Sequence, residues 1–168
     1  MNVPNFFLSI AILILFSLTF ISSAEANTST VESFVQKAAV ANKFEIDSSQ
    51  LALQKSNNSE IRRFAERMVN DHTKVGERFT TTLQSINQKA PETLDEKHKK
   101  LIERLEQSSG DDFNRLYVQL QTDAHKEAVD LFTDYSKNGK DPTLRDFAEK
   151  TLPDLKSHLE DIRKIKVK

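Results

Sequence analysis

The chain has 168 residues with 24 basic and 25 acidic side chains, four histidines, three glycines and no cysteine. The even charge leaves no electrostatic footprint for nucleic acid. The missing cysteine excludes a disulfide framework, a thiol nucleophile and a cysteine-linked lipid, and three glycines are too few for a phosphate-cradling loop.

The first segment differs from everything after it. Phe6 to Ile21 is almost wholly apolar, yet shorter than the roughly 20 residues a membrane span needs. Ser22-Ser23 and then Ala24-Glu25-Ala26 follow, an A-x-A cleavage pattern. Met1–Ala26 reads as a secretory signal with the mature chain beginning at Asn27; an uncleaved anchor is the alternative. Without Glu25 the mature chain is neutral, and residues 27–168 form one domain with one core. They carry no membrane span.

Ser29-Thr30-Val31-Glu32 has capping-box spacing, which predicts a helix from about Thr30. Val31, Ala38, Glu45 and Ala52 recur every seven residues, so Glu45 shares a stripe with three apolar side chains. Asn57-Asn58 predicts a turn and Ser59 a cap for a second helix running to about Lys89, ahead of Pro91. Its seam is Ile61, Ala65, Met68, Val75 and Phe79, and His72 sits on it.

Ala90–Asp111 is a long connection, with a short amphipathic helix marked by Leu94, His98, Leu101, Ile102 and Leu105. Ser108-Ser109-Gly110 stops it, and Asp111 is placed to cap the third long helix. There His125 lies seven residues from both Val118 and Phe132, on an apolar row. Asn138-Gly139 ends that helix, with Gly139 expected in the left-handed cap geometry. Asp141-Pro142 starts the fourth, whose seam holds Leu144, Ala148, Leu155, His158 and Ile162. Pro153, inside it, predicts a kink. No strand pattern occurs, which excludes an outer-membrane barrel.

Four long helices with short outer turns and one long middle connection predict an all-α, ferritin-like four-helix bundle, with a partly helical crossover between the second and third. Each long helix then places one metal-competent residue on an apolar row: Glu45, His72, His125 and His158. Counted from the turns at helical rise, the first three share a level and His158 lies about one turn further along. His98 falls outside the layer. Asp71 and Asp123, close in sequence to His72 and His125, are candidate ligands or orienting partners. Such donors suit one ion of zinc, iron, copper or manganese, with binding expected to weaken below about pH 6 as imidazoles protonate. The alternative is a metal-free polar layer in a structural or protein-interaction module, its histidines bonded to carboxylates, hydroxyls and water. No G-x-S-x-G elbow supports a hydrolase.

The stretches FVQKAAVANKFEI, FAERMVNDHTK, FNRLYVQLQTDAHKEAVDLF and LRDFAEKTLPDLKSHL resemble a domain-of-unknown-function family of exported, ferritin-like bacterial proteins. Its members often carry the label "predicted outer membrane protein". The resemblance spans about Val31 to Ile165. It implies a ferritin-like bundle and a periplasmic, extracellular or envelope setting, and no established activity. Di-iron bundles pair a Glu with a His three residues later. Here the residues three before His72, His125 and His158 are Val69, Thr122 and Leu155, so di-iron oxidase chemistry is not expected. The reading is an exported bundle, not an assigned enzyme, that holds one metal ion in envelope or metal stress. Protein partners and oligomeric state are left open.

Overall fold

The computed structural model describes residues 30–167; the expected signal segment, Met1–Ala26, lies outside them. Thr30 caps α1 (Val31–Lys55) by accepting the Ser33 N–H at 3.1 Å. Asn58, one residue before the expected cap, opens α2 (Ser59–Ser85) by accepting the N–H groups of Glu60 and Ile61. This helix stops four residues short of Lys89. Asn87 takes a left-handed φ of 55°, and the N–H groups of Asn87 and Gln88 return to the carbonyls of Gln84 and Leu83. That is a Schellman closure with asparagine in the place glycine usually fills.

Asp95 caps α3 (Glu96–Gln107), the helix inside the crossover. Gly110, with a φ of 57°, begins α4 (Gly110–Asn138), so the helix starts at the glycine rather than after an Asp111 cap. Gly139 ends it in an extended conformation (φ −61°, ψ 142°), not a left-handed one. The residue is needed for space: a Cβ there would lie 2.5 Å from the Tyr135 ring. Asp141 accepts the Leu144 N–H at 2.9 Å and Pro142 is the first residue of α5 (Pro142–Lys164), which stays helical through Pro153.

Side-chain pairs fix the topology. Along α1 and α4, Ser49 meets Tyr117, Ser48 meets Gln121 and Phe34 meets Tyr135, so these helices are antiparallel. Along α2 and α5, Arg67 meets Asp161, Asp71 meets His158 and Phe79 meets Phe147, again antiparallel. With α1 hairpinned to α2 and α4 to α5, α2 and α4 are therefore parallel across the diagonal. The crossover carries the chain back to the end at which α2 begins, and α3 lies on α1 and α4 through Leu105, the His98–Phe44 ring contact and the Lys97–Glu127 pair. This is the ferritin-like, single-crossover bundle, and the described residues contain no strand.

The apolar core is in two parts. One end packs Ile61, Phe64, Met68, Phe113, Tyr117 and Ile162. The other packs Phe34, Phe79, Phe132, Tyr135, Leu144 and Phe147, with the Phe34 and Tyr135 rings stacked 3.8 Å between centroids. His72, His125 and His158 lie between the two parts in sequence along their helices, Glu45 follows Val40 and Phe44 of the first part on α1, and all four are buried.

Phe64 is 5 % exposed and meets Tyr117 and His125 edge-on. Phe64→Ala is expected to cost about 3–5 kcal/mol by leaving a cavity between helices. Lys99→Ala, which removes only an exposed pair with Glu96, should leave the urea midpoint unchanged. Equal midpoints for the two variants would contradict this core.

Candidate metal centre

Three helices deliver the three histidines. The spacing of His72 from Met68 and Val75 keeps it on the buried seam of α2, and the same logic places His125 on α4 and His158 on α5. Their exposures are 3, 0 and 1 %. Ring centroids lie 5.7 Å apart for His72–His125 and 5.4 Å for each pair with His158. One ligand atom from each ring lies within 4.8 Å of those of the other two.

His158 joins the layer although counting residues from the turns puts it about a turn further along. Helical side chains lean toward their own N terminus. In the antiparallel α4 and α5 the rings of His125 and His158 therefore lean toward each other along the bundle axis.

Each ring has one nitrogen anchored. His125 Nδ1 lies 2.9 Å from the Gln121 carbonyl, which only accepts, so Nδ1 carries the proton. His158 Nε2 lies 3.0 Å from Asp71 Oδ2 and donates to that carboxylate. His72 Nδ1 lies 3.0 Å from Asn42 Oδ1. The second nitrogens, His72 Nε2, His125 Nε2 and His158 Nδ1, are buried and have no protein partner. On a neutral ring these are the lone pairs. Three neutral imidazoles, each held by a hydrogen bond on its other nitrogen, are a donor set that could hold a metal ion.

The anchors are themselves braced. Asp71 also accepts from Arg67 Nε at 3.2 Å, and the same guanidinium reaches Asp161 and Ser157. Burial would raise the Asp71 carboxyl, but the hydrogen bonds from His158 and Arg67 outweigh it and hold it below the usual range. Asn42 packs against Gly76, where a Cβ would stand 3.0 Å from its amide nitrogen. Glycine one turn after His72 thus leaves room for the carboxamide that orients the ring.

Glu45 lies beside this set rather than within it. Its Oε1 is 3.5 Å from His125 Nδ1, the anchored nitrogen, and its Oε2 has no partner. Burial, opposed by a hydrogen bond from Gln121, pushes its carboxyl up to about 8. Asp123 is exposed; two positions from His125 on a helix turns a side chain to the opposite face. His98 bonds Asp95 and packs on Phe44, outside the layer as expected. Sequence reasoning missed Asn42, Gln121, Arg67 and Gly76. The only advance signals were positional: Asn42 three before Glu45, and Arg67 and Gly76 four either side of Asp71 and His72 respectively.

A family model described as a domain of unknown function, DUF4142, matches residues 19–165, most of the chain. The protein belongs to the DUF4142 family. No curated protein matches it. Among solved structures, the DUF4142 chain resembles CopM in its Cu(II)-bound form at a TM-score of 0.66 and 16 % identity, over 79 % of this chain and 93 % of that one. CopM in its Cu(I)-bound form aligns at 0.65 and 17 % identity, over 80 and 94 %. The putative secreted protein DUF305 from Streptomyces coelicolor aligns at 0.66 and 12 % identity, over 80 and 89 %. At these identities the likeness is one of fold. No helix among the described residues is long and apolar enough to cross a membrane.

Burial sets the acid–base behaviour of the layer. It lowers all three histidines, His72 well below the ordinary value, His125 to about 4, and His158 despite its bond to Asp71. The unfolded chain takes up these protons below about pH 6.5 while the folded one resists, so stability falls as pH drops from there. Glu45 works the other way: the fold keeps its proton up to about 8 while the unfolded chain releases it above 4.5, so its contribution is lost as pH rises through that window. Three rings outweigh one carboxyl below about pH 6.5, and Glu45 acts alone above it. The urea midpoint of metal-free protein should therefore peak between about pH 6 and 7, and Glu45→Gln should remove the alkaline decline. A midpoint rising steadily to pH 8.5 would contradict the assignment of Glu45.

Proposed function

We propose that this DUF4142 protein is an exported helical bundle that binds one transition-metal ion between His72, His125 and His158. The observation that carries the reading is the trio of buried, unpartnered imidazole nitrogens, each opposite an anchored N–H. A polar layer that served only to fix helix register would be built from groups that satisfy one another. Here it would leave three buried acceptors unpaired at about 1–3 kcal/mol each.

The donors are all nitrogen, without the bridging carboxylates of di-iron bundles. Imidazole donors of this kind favour copper and zinc over manganese, which prefers oxygen ligands, and the copper-bound CopM structures share the fold. Asp71 acts as orienting partner of His158 and Asn42 as that of His72, and Glu45, protonated in the metal-free fold, stands beside the set where a bound cation would favour loss of that proton. Because burial has lowered the three rings, proton competition in the folded protein sets in at more acidic pH than the pH 6 expected from free imidazoles. The Ala24-Glu25-Ala26 pattern supports export, with residues 27–168 as the mature domain. Holding a metal ion in the envelope, against metal stress, is the role that fits a bound ion without an assigned reaction.

Metal should raise the melting temperature, since a ligand that binds only the folded state stabilises it by about 2.7 kcal/mol at a hundred times its dissociation constant. His72→Ala, His125→Ala and His158→Ala should each abolish that rise, and His98→Ala should keep it. A melting curve indifferent to zinc, iron, copper and manganese would refute the proposal.

A further inference from the structure

The three rings are at most 3 % exposed, so an ion reaches them only when part of the wall moves. Their anchors differ in what they offer an arriving cation. His125 is held by the main-chain carbonyl of Gln121, a residue with no exposure. His72 is held by Asn42, a neutral carboxamide whose oxygen is already committed and whose nitrogen lies against Gly76. His158 is held by a charged group that reaches water: the Asp71 side chain is 30 % exposed.

At that point α2 and α5 are joined by polar side chains. Arg67 donates to Asp71 on its own helix and crosses to Asp161 and Ser157 on the other. The Arg67 and Asp161 side chains are each 39 % exposed. Phe64, Arg67, Asp161 and Lys164 line an open groove of ≈ 360 Å³. Of these, Phe64 meets the His125 ring edge-on, and Arg67 bonds the carboxylate that holds His158. The groove's own lining therefore touches one ring and is one carboxylate away from another.

Opening at this point costs little, because water takes over half-exposed bonds that contribute little net stability. A second groove on the same face is lined by Arg78, Phe147 and Thr151. Entry there would part the stacked Phe79 and Phe147 rings, 4.8 Å between centroids, and bring a cation against an apolar wall with nothing to replace its hydration. Beside Asp71 the cation meets carboxylate oxygens as it sheds water, and it takes the place of a guanidinium charge.

We propose that Arg67 is the latch of an ion port: its guanidinium swings off Asp161 and Ser157, and the ion passes between α2 and α5, past Asp71, to and from the three histidines. The inference rests on the metal reading above and adds the route and the moving part.

The kinetics of Cu(II) exchange test it, with uptake read in stopped flow by quenching of the tyrosine emission and release by transfer to excess EDTA. A latch stands on the path in both directions. Its removal speeds uptake and release by the same factor and leaves the affinity unchanged, whereas losing a residue that only orients His158 changes release without speeding uptake. Arg67→Gln should raise both rates roughly five- to tenfold. Asp161→Ala, which removes one of the two holds on α5 and keeps the Arg67–Asp71 bond, should raise both by less. Arg78→Gln, which removes a 3.8 Å pair with Asp154 on the same face, should change neither. An uptake rate unchanged in both latch variants, or an equal acceleration in Arg78→Gln, would overturn the latch and leave the metal site standing. No Cu(II) uptake, or uptake undiminished in His72→Ala and His158→Ala, would overturn the metal reading and the latch with it.

Discussion

A neutral imidazole in a dry core must direct a proton one way and a lone pair the other, and the bundle satisfies only the first of these with protein. His125 gives its proton to a main-chain carbonyl, His158 to a carboxylate and His72 to a carboxamide. The nitrogens that carry the lone pairs are buried and meet no protein donor, and one nitrogen of each ring lies within 4.8 Å of those of the other two. Much of the surrounding structure follows from that. Arg67 braces the carboxylate from α2 and ties it to α5. Gly76 makes space for the carboxamide. The aromatic side chains fill the two ends of the core and leave the polar layer between them.

The topology is what allows three helices to converge at one depth. Adjacent helices are antiparallel, so side chains on neighbours lean toward each other along the axis and offsets of about a turn are absorbed. The crossover brings α4 alongside α1, which lets Gln121 and Ser48 continue the polar layer as a bonded pair at 2.9 Å. Below them Ser49 meets the Tyr117 hydroxyl at 3.0 Å. These contacts continue the buried polar layer from the histidines along the α1–α4 interface.

Much of this was legible in the sequence, because a helix seam converts spacing directly into burial. His72 between Met68 and Val75, and His125 between Val118 and Phe132, could be placed in the core without coordinates, and their common depth followed from counting residues from the turns. The crossover and its short helix were legible from the length of the connection and the caps that bound it. The bracing was not. Gln121 contributes a backbone carbonyl, which any residue would offer. Asn42 and Gly76 look like ordinary helix residues until the space between them is known. Asp123 was misplaced because adjacency in sequence was taken for adjacency in space, whereas a helix sends neighbours to different faces. The end of α2 was missed because Asn87 fills a left-handed position usually marked by glycine. Gly139 misled in the opposite sense: it is there for the Tyr135 ring, not for its φ.

The central claim is a protonation pattern, and nitrogen-15 NMR of the histidine rings in metal-free protein at neutral pH reads it directly. The account predicts three neutral rings, with His72 and His125 protonated at Nδ1 and His158 at Nε2, and a shift of the other nitrogen of each when one equivalent of metal is added. Imidazolium signals for the buried rings, or the opposite tautomers, would contradict it.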